Sequence, residues 1–361
     1  MSLTFDFQPN AVPLATIERE ALLADPGFGK VFTDHMAVVQ YSDGKGWHSA
    51  RIQAREPITA DPASAVLHYA QEIFEGLKAY RHPDGSIALF RPEANARRLQ
   101  ESAKRMAMPP LPEDIFLESV LALVRTDKDW VPSIPEGALY LRPFVFASEV
   151  FLGVKPSSEY IYAVIASSVG SYWKGGVRAI SLWASQTYTR AAPGGTGAAK
   201  CGGNYAASLI ALAEASRQGC DQVVFLDAAE HRWVEELGGM NIFFVFDDGR
   251  LRTPPLGGTI LPGITRDSLI QLARDQGLTV EEAPYSIEEW RDDAASGRLV
   301  EAFACGTAAV VTPIGSVKGA GFEVTIGSGG PGQLTERLRQ QLTDIQFGRA
   351  PDPHGWVRLV A

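Results

Sequence analysis

Two kinds of apolar pattern alternate along the chain, and this alternation restricts its fold class. Short apolar runs bounded by turn residues predict strands, and stretches with apolar residues at helical spacing predict helices. The predicted strands are 31–40, 46–54, 73–80, 87–91, 138–148, 160–169, 177–183, 223–227, 240–246, 251–253 and 299–304. The predicted helices are 93–106, 114–125, 205–217, 265–276, 286–295 and 333–345. The chain is therefore predicted to be an α/β (α+β) protein.

A short glycine-bounded segment, GSYWKGG at 170–176, separates two blocks of this pattern. Segments of this composition are typical of loops between folded regions. A length of 361 residues suggests two or three domains, and two is the safer number. We therefore predict a smaller N-terminal domain at 1–169, an interdomain loop at 170–176 and a larger C-terminal domain at 177–361.

Composition excludes several classes of partner. The chain has 33 Lys and Arg against 42 Asp and Glu, a net charge of −9, and no basic stripe, which argues against nucleic acid and anionic membranes. No apolar run is long enough to span a bilayer, and the first residues lack a signal-peptide pattern. Three scattered cysteines indicate a reducing compartment, so we expect a cytoplasmic protein. The six histidines lack metal-ligand spacing, which predicts no metal site.

The most unusual stretch, AAPGGTGAAKCGGNY at 191–205, places Lys200 among small residues. A nucleophilic lysine needs such close access, and it needs a pKa below the usual value of about 10.4. Taken alone, the stretch more often indicates an exposed loop lysine. Ala199 and Cys201 exclude a phosphate-binding P-loop, and Lys200 stands where a dinucleotide fingerprint needs glycine.

Four further features complement this lysine. PGITR at 262–266 opens a predicted helix, whose first N–H groups favour an anion. Gly306 and Thr307 follow a predicted strand, Glu236 precedes two glycines, and Arg98 lies in a basic helix. Each feature alone is more often a turn or a solvated charge. Together they supply what a pyridoxal phosphate site needs: an amine, an acid for the ring nitrogen and an anion cup.

Several ordered blocks carry a resemblance to a known family. They are FGKVFTDHM at 28–36, FEGLKA at 74–79, LYLRP at 139–143, KCGGNY at 200–205, Glu236 with Met240-Asn241, LPGITR at 261–266 and GTA at 306–308. In this order the chain resembles the branched-chain aminotransferases, which are fold-type IV pyridoxal phosphate enzymes. The resemblance implies a cofactor in the cleft between two domains. It also implies a homodimer in which a loop near Val154 completes the partner's site.

The resemblance further implies roles for residues around pyridoxal 5'-phosphate. Lys200 would be the Schiff-base lysine, which also moves the proton at the substrate α-carbon. Glu236 would pair with the ring nitrogen, and Arg98 would bind the phosphate. The other implied cofactor contacts are Tyr205, Leu261, Ile264, Thr265, Gly306 and Thr307.

The implied substrate pocket must accept an apolar side chain and, in the other half-reaction, the distal carboxylate of glutamate. An aromatic wall suits the first demand, and Arg142 or tyrosine hydroxyls suit the second. The implied substrate contacts are Phe28, Tyr69, Phe74, Tyr140, Arg142, Tyr172, Thr307 and Ala308.

The expected activity is ping-pong transfer of the amino group from L-leucine, L-isoleucine or L-valine to 2-oxoglutarate. D-amino acid aminotransferase and aminodeoxychorismate lyase, which have the same fold, are alternatives. A phosphate-ligand binding protein that forms no Schiff base is a third. The long N-terminal part and the FEG and LYLR blocks favour the branched-chain enzyme.

The chain departs from the pattern of the vertebrate enzymes of this family in two places. Gly239 stands where those enzymes carry a hydroxyl residue near the substrate carboxylate. Ala309 and Thr312 replace a Cys-x-x-Cys pair, so we expect no thiol–disulfide switch there.

Overall fold

The computed structural model describes residues 3–172 and 177–360 and divides into two compact units. The first unit comprises Met1–Tyr172, Ala199–Gly202 and Ile345–Ala361, and the second comprises Trp173–Ala198 and Gly203–Asp344. Residues 173–176 of the predicted interdomain loop lie outside the described residues, so that loop stays a prediction.

The first unit is built on a mainly antiparallel sheet. Its strands are β1 Asp6–Phe7, β2 Val31–Phe32, β3 His35–Ser42, β4 Gly46–Ala54, β5 Glu72–Phe74, β6 Leu77–Arg81, β7 Ile87–Phe90, β8 Ala138–Ala147, β9 Glu159–Val169 and the C-terminal strand β19 Val357–Leu359. Within the described residues the sheet has ten strands, in the order β1-β4-β3-β9-β8-β6-β7-β19, with β2 on β9 and β5 on β8. The helices are α1 Thr16–Leu23, α2 Ala65–Tyr69, α3 Pro92–Arg105 and α4 Glu113–Thr126.

The second unit has a mixed sheet. Its strands are β10 Ile180–Ser185, β11 Gln222–Leu226, β12 Val234–Leu237, β13 Asn241–Phe246, β14 Leu251–Thr253, β15 Val280–Glu282, β16 Leu299–Gly306, β17 Val310–Gly319 and β18 Phe322–Thr325. Their order is β12-β11-β10-β17-β16-β13-β14-β15, with β18 on β17. The helices that follow the strands are α5 Gly202–Arg217, α6 Ile264–Asp275, α7 Ile287–Ser296 and α8 Gln333–Gln346.

Local sequence signals account for several of these elements. The capping box predicted at α7 is confirmed, since Glu289 N donates to Ser286 Oγ (3.1 Å) and Ser286 N donates to Glu289 Oε2 (2.9 Å). Pro92 at the first position of α3 is also typical of a helix start. Aromatic packing then fills the core of the second unit, where Phe244 lies 4.8 Å from Trp290 and 4.6 Å from Tyr285 between ring centroids.

Two predicted strands are divided in the structure, and the sequence did not predict β1, α1, α2, β12, β15, β17, β18 or β19. The predicted strand 31–40 is divided into β2 and β3, and the predicted strand 73–80 is divided into β5 and β6. The second break contains Glu75 and Gly76, and the Glu75 side chain is fully buried there. The sequence also predicted no strand at the C-terminus, where β19 pairs with β7 in the first unit.

No helix among the described residues is both long enough and apolar enough to cross a membrane.

Candidate active site

Lys200 belongs to the first unit, in the short segment directly before α5. Hydrogen bonds hold its main chain on both sides: Lys200 N donates to Ser102 Oγ (3.0 Å), and Phe74 N donates to the Lys200 carbonyl (2.9 Å). Its Nζ lies 4.7 Å from the centroid of the Phe74 ring. The neighbouring Ala199 and Cys201 are buried. Small residues therefore let this backbone pack closely, and the amine is held beside an aromatic face.

The surroundings of Lys200 lower the pKa of its amine to about 8. Burial is the largest cause, and the Arg98 charge adds to it, while Glu75 and Tyr140 act in the opposite direction. With a pKa of about 8, about a tenth of the amine is unprotonated at pH 7, against about one molecule in a few thousand for a solvated lysine. The amine therefore has the nucleophilic form that carbonyl chemistry needs.

Arg98, on α3, contacts a carboxylate that the sequence had indicated only as part of a motif. Its Nε and Nη2 donate to Oε1 and Oε2 of Glu75, both at 2.8 Å. Asn95 Nδ2 donates to Glu75 Oε2 as well (2.7 Å). Burial alone would raise the pKa of Glu75, but the Arg98 charge and these hydrogen bonds hold it below its usual value. Glu75 is therefore ionised, and it neutralises the Arg98 charge inside the first unit.

Five of the predicted substrate residues lie together in the first unit. The Phe28 ring packs edge-on against Tyr140 (5.4 Å) and Tyr172 (5.0 Å between centroids). The Arg142 guanidinium lies over the Phe74 ring (4.7 Å), and its Nη2 donates to the Tyr140 hydroxyl (3.0 Å). Since Phe74 also contacts the Lys200 amine, the aromatic wall and the cation both adjoin the reactive group.

Tyr69 makes different contacts. Its hydroxyl donates to the Leu152 carbonyl (2.6 Å), and 37% of the residue is exposed. Its role at the substrate therefore stays a prediction.

Gly76 is required for the position of Tyr140, and its replacement by alanine tests the substrate pocket. A Cβ at this position would overlap the Tyr140 hydroxyl oxygen and Cζ. Because these atoms end a side chain, we expect the ring to move and the Arg142–Tyr140 hydrogen bond to break. For Gly76→Ala we expect steady-state kcat/KM to fall about tenfold for both L-leucine and 2-oxoglutarate, the substrates expected from the sequence; this fall is the equivalent of one lost contact. The free energy of unfolding should fall by about 1–3 kcal/mol, the usual cost of overpacking a buried position.

Gly330→Ala is the control for this change, because a Cβ there meets only Ser328 Oγ at an ordinary 3.6 Å. Equal kinetic constants for Gly76→Ala, Gly330→Ala and the unaltered enzyme would contradict a role for Tyr140 in the pocket.

In the second unit, Glu236 on β12 is held by a buried cation. Its Oε1 lies 3.0 Å from Arg190 Nη1, and both side chains are 2% exposed. Leu261 N donates to the same oxygen (2.7 Å), and Arg190 Nη1 also donates to the Thr259 carbonyl (2.9 Å). Asn241 Nδ2 donates to the Leu261 carbonyl (3.0 Å). These contacts hold the Glu236 carboxylate in one orientation and away from water. A carboxylate in this state can form a strong, directed hydrogen bond with a heteroaromatic nitrogen.

Arg190 was missed in the sequence because a lone arginine in a loop has no distinctive pattern. Glu235, the neighbour of Glu236 in the chain, is buried as well (7% exposed), and this burial raises the pKa of its carboxyl.

The predicted anion cup is also in the second unit. As predicted, a helix begins at PGITR, since α6 starts at Ile264. The N-cap residue is Gly263, which has an extended backbone (φ −71°, ψ 130°) and supplies no side-chain hydrogen bond to the helix. A Cβ on Gly263 would overlap Asn241 Oδ1, so only glycine lets the backbone at position 263 lie this close to the Asn241 side chain. Gly306 ends β16, and Thr307 and Ala308 form the half-buried turn before β17. Backbone N–H groups at such positions suit an anion.

Tyr205, on α5, lies beside the position that departs from the vertebrate-type pattern. A Cβ on Gly239 would sit 3.6 Å from Tyr205 Cε1, which is an ordinary contact, so alanine would fit at this position. The absence of a thiol switch at Ala309 and Thr312 stays a prediction.

Comparison with known proteins identifies the family. The model of the class IV amino-transferases matches residues 72–317. A branched-chain-amino-acid aminotransferase of Mycolicibacterium smegmatis is 56% identical over 359 residues, which cover 98% of each chain. The solved structure of the Escherichia coli branched-chain amino acid aminotransferase has a TM-score of 0.74 at 31% identity, covering 90% of this chain and 100% of that one. The branched-chain amino acid aminotransferase of Thermobaculum terrenum, solved in its PLP form, has a TM-score of 0.70 at 26% identity, covering 90% and 98%.

The similar proteins match nearly the whole chain, and the family model covers residues 72–317. The expected fold-type IV architecture and the expected enzyme class are therefore confirmed. The chain belongs to the class IV aminotransferase family.

Proposed function

We propose that this chain is a branched-chain amino-acid aminotransferase, which transfers the amino group of L-leucine, L-isoleucine or L-valine to 2-oxoglutarate and forms L-glutamate. The observation that carries the proposal is the combination around Phe74, whose ring contacts both the Lys200 amine and the Arg142 guanidinium. The amine serves both half-reactions, the aromatic wall suits an apolar substrate side chain, and the cation suits the distal carboxylate of glutamate. The names of relatives that are 54–56% identical over nearly the full length support it.

The residues fit pyridoxal 5'-phosphate as the cofactor. Lys200 supplies an amine with lowered pKa, Glu236 a buried carboxylate, and Arg98 with the start of α6 supplies anion-binding groups. When bound, the cofactor supplies a carbonyl group that condenses with amines and a ring that accepts electrons. We propose that Tyr205, Leu261, Thr265, Gly306 and Thr307 contribute the remaining contacts.

We propose two tasks for Lys200. It holds the cofactor covalently through Nζ, and, once an incoming amine has displaced it, it moves the proton at the substrate α-carbon. A pKa of about 8 suits both tasks, because the amine gains and loses a proton near neutral pH. Ser102 and Phe74 hold the main chain of Lys200, so that only the flexible side chain has to move between the two tasks.

Glu236 is proposed to hold a proton on the ring nitrogen. Its ion pair with Arg190 keeps the carboxylate oriented, and Leu261 N fixes the same oxygen. A buried acceptor that cannot rotate makes a stronger and more directional hydrogen bond than a solvated one.

Arg142 and the rings are proposed to select substrates. The Phe28, Tyr140 and Tyr172 rings offer apolar surface to a branched side chain. Arg142 would bind the distal carboxylate of glutamate. When the substrate has an apolar side chain instead, cation–π contacts with the Phe74 and Tyr140 rings stabilise the Arg142 charge.

We further propose a cytoplasmic homodimer. The segment of the first unit that contains Leu152 (67% exposed) and Val154 (88% exposed) leaves large apolar side chains in contact with water, and covering them would favour an interface. The three cysteines are free and buried, which suits a reducing compartment.

D-amino acid aminotransferase and aminodeoxychorismate lyase are less favoured. The family model alone would allow an enzyme of another specificity, but the similar proteins at 44% identity and above are named for branched-chain substrates.

The visible spectrum of the purified enzyme tests the proposal. We expect a yellow protein that loses its visible absorption when L-leucine is added without an acceptor, and recovers it when 2-oxoglutarate follows. D-leucine, the control, should cause no change. A yellow protein that responds to D-leucine only, or to neither enantiomer, would overturn the proposed substrate class. A protein that stays colourless after pyridoxal 5'-phosphate is supplied would overturn the cofactor too.

A further inference from the structure

We propose that Glu75 is a positioning residue, which orients the Arg98 guanidinium toward the cofactor phosphate and supplies the negative charge that balances Arg98 beside Lys200. The first part rests on the proposed function, because it takes the phosphate as the anion that Arg98 binds. The second part concerns only the chain itself.

The local fold directs the Glu75 side chain inward. Glu75 lies in the break between β5 and β6, and its N donates to the Pro143 carbonyl (2.7 Å) on β8. Gly76 N donates to Glu75 Oε2 (3.2 Å). In a regular strand, alternate side chains point to opposite faces of the sheet. The break between β5 and β6 interrupts this alternation, and the charged Glu75 side chain is buried there.

The contact with Arg98 is side-on and uses two hydrogen bonds. Because Nε and Nη2 both donate to the carboxylate, the plane of the guanidinium is fixed, and its Nη1 end is directed away from Glu75. The Arg98 side chain is 10% exposed and the Glu75 side chain is fully buried, so this geometry is protected from water. A phosphate that binds Arg98 would therefore contact a guanidinium that already has a fixed orientation. Binding would then cost less conformational entropy of the Arg98 side chain.

The same pair determines the charge around Lys200. The charged and titratable groups with the largest effects on its amine include Arg98, Glu75, Tyr140 and Arg142. Both arginines lower the Lys200 pKa, and Glu75 raises it. Removal of the Glu75 charge would leave Arg98 unbalanced, and the Lys200 pKa would fall further.

Glu75→Gln tests the charge balance in the enzyme from which the cofactor has been removed. The pH dependence of acetic anhydride labelling at Lys200, followed by mass spectrometry of its peptide, measures the Lys200 pKa directly. We expect Glu75→Gln to lower that pKa by about one pH unit, which is typical of losing one nearby charge. Glu75→Gln combined with Arg98→Met should bring it back close to the original value, because both opposing charges are then absent.

Asp127→Asn is the matched control. Asp127 is another buried carboxylate of the first unit, and its own cationic partner is His35 (2.7 Å) and not Arg98. An unchanged Lys200 pKa in Glu75→Gln, or an equal change in Asp127→Asn, would overturn the charge-balancing role. If Glu75→Gln does not fold, the double variant and Arg98→Met alone still test it, because Arg98→Met alone should raise the pKa.

A second measurement tests the orientation of Arg98. We expect Glu75→Gln to weaken the equilibrium binding of pyridoxal 5'-phosphate about tenfold, while the binding of pyridoxal, which lacks the phosphate, stays unchanged. Equal losses for both compounds would show a merely structural effect and would overturn the positioning role. Neither measurement uses amino acid substrates, so a failure of the branched-chain proposal would be seen separately, in the spectral response to L-leucine.

Discussion

Lys200→Ala is expected to lower kcat/KM for L-leucine about ten-thousand-fold or more. The variant loses the covalent attachment point and the group that moves the α-proton, and the loss of a general base alone is worth about 10²–10⁴. Stopped-flow measurement of the half-reaction with L-leucine, together with steady-state turnover, measures this loss. Equilibrium dialysis should show that the variant still retains pyridoxal 5'-phosphate without a covalent bond, because the proposed phosphate contacts are intact.

Lys104→Ala is the control for this experiment. Lys104 is an exposed lysine on α3 of the same unit, paired only at the surface with Glu101. Its replacement should leave turnover unchanged, since surface pairs contribute little. Near-normal turnover of Lys200→Ala would contradict the catalytic role of this lysine.

Arg190→Met is expected to lower the free energy of unfolding by about 3–5 kcal/mol, the usual cost of leaving one member of a buried ion pair without its partner. The Glu236 carboxylate is 2% exposed, so water cannot replace the lost cation. The double variant Arg190→Met with Glu236→Gln should regain most of the stability, because a neutral amide costs less to bury. It should nevertheless transaminate poorly, because the acid for the ring nitrogen is then absent. Urea denaturation and steady-state turnover measure the two effects.

Arg250→Met provides the comparison, because Arg250 pairs with Asp248 (2.6 Å) and Glu281 (3.0 Å) in part-exposed positions where water can replace it. Its loss should cost less than about 1 kcal/mol. If Arg190→Met costs no more than Arg250→Met, or if the double variant is less stable than Arg190→Met, the buried pair does not have the energetic role assigned to it.

Much of the fold could be predicted from local patterns. The helices α3 and α4 and the capping box of α7 follow from contacts between residues three or four apart, which periodicity and cap residues report. The chemical character of the Lys200 segment could also be predicted, because small neighbours and an isolated amine are visible in the sequence.

The partners of the site residues could not be predicted in this way. Glu75 and Arg98 are separated by 23 positions, and nothing in either segment indicates a buried side-on ion pair. Arg190 lies in a loop without periodicity, and its pairing with Glu236 depends on how the second unit packs. Strand β19 returns to β7 at the end of the chain, and its three-residue pattern is too short to indicate which unit it would join.

The sequence by itself determined the alternation of strands and helices, the candidate amine at Lys200 and, through its ordered blocks, the family. Local propensities and short-range periodicity are properties of neighbouring residues, so they can be read without the fold. Only the tertiary structure decided which charges are buried together, that Glu75 balances Arg98 beside Lys200 and that Arg190 holds Glu236. The physical reason is that ion pairing, desolvation and the pKa of an amine depend on groups distant in sequence, and only folding brings those groups within hydrogen-bond distance.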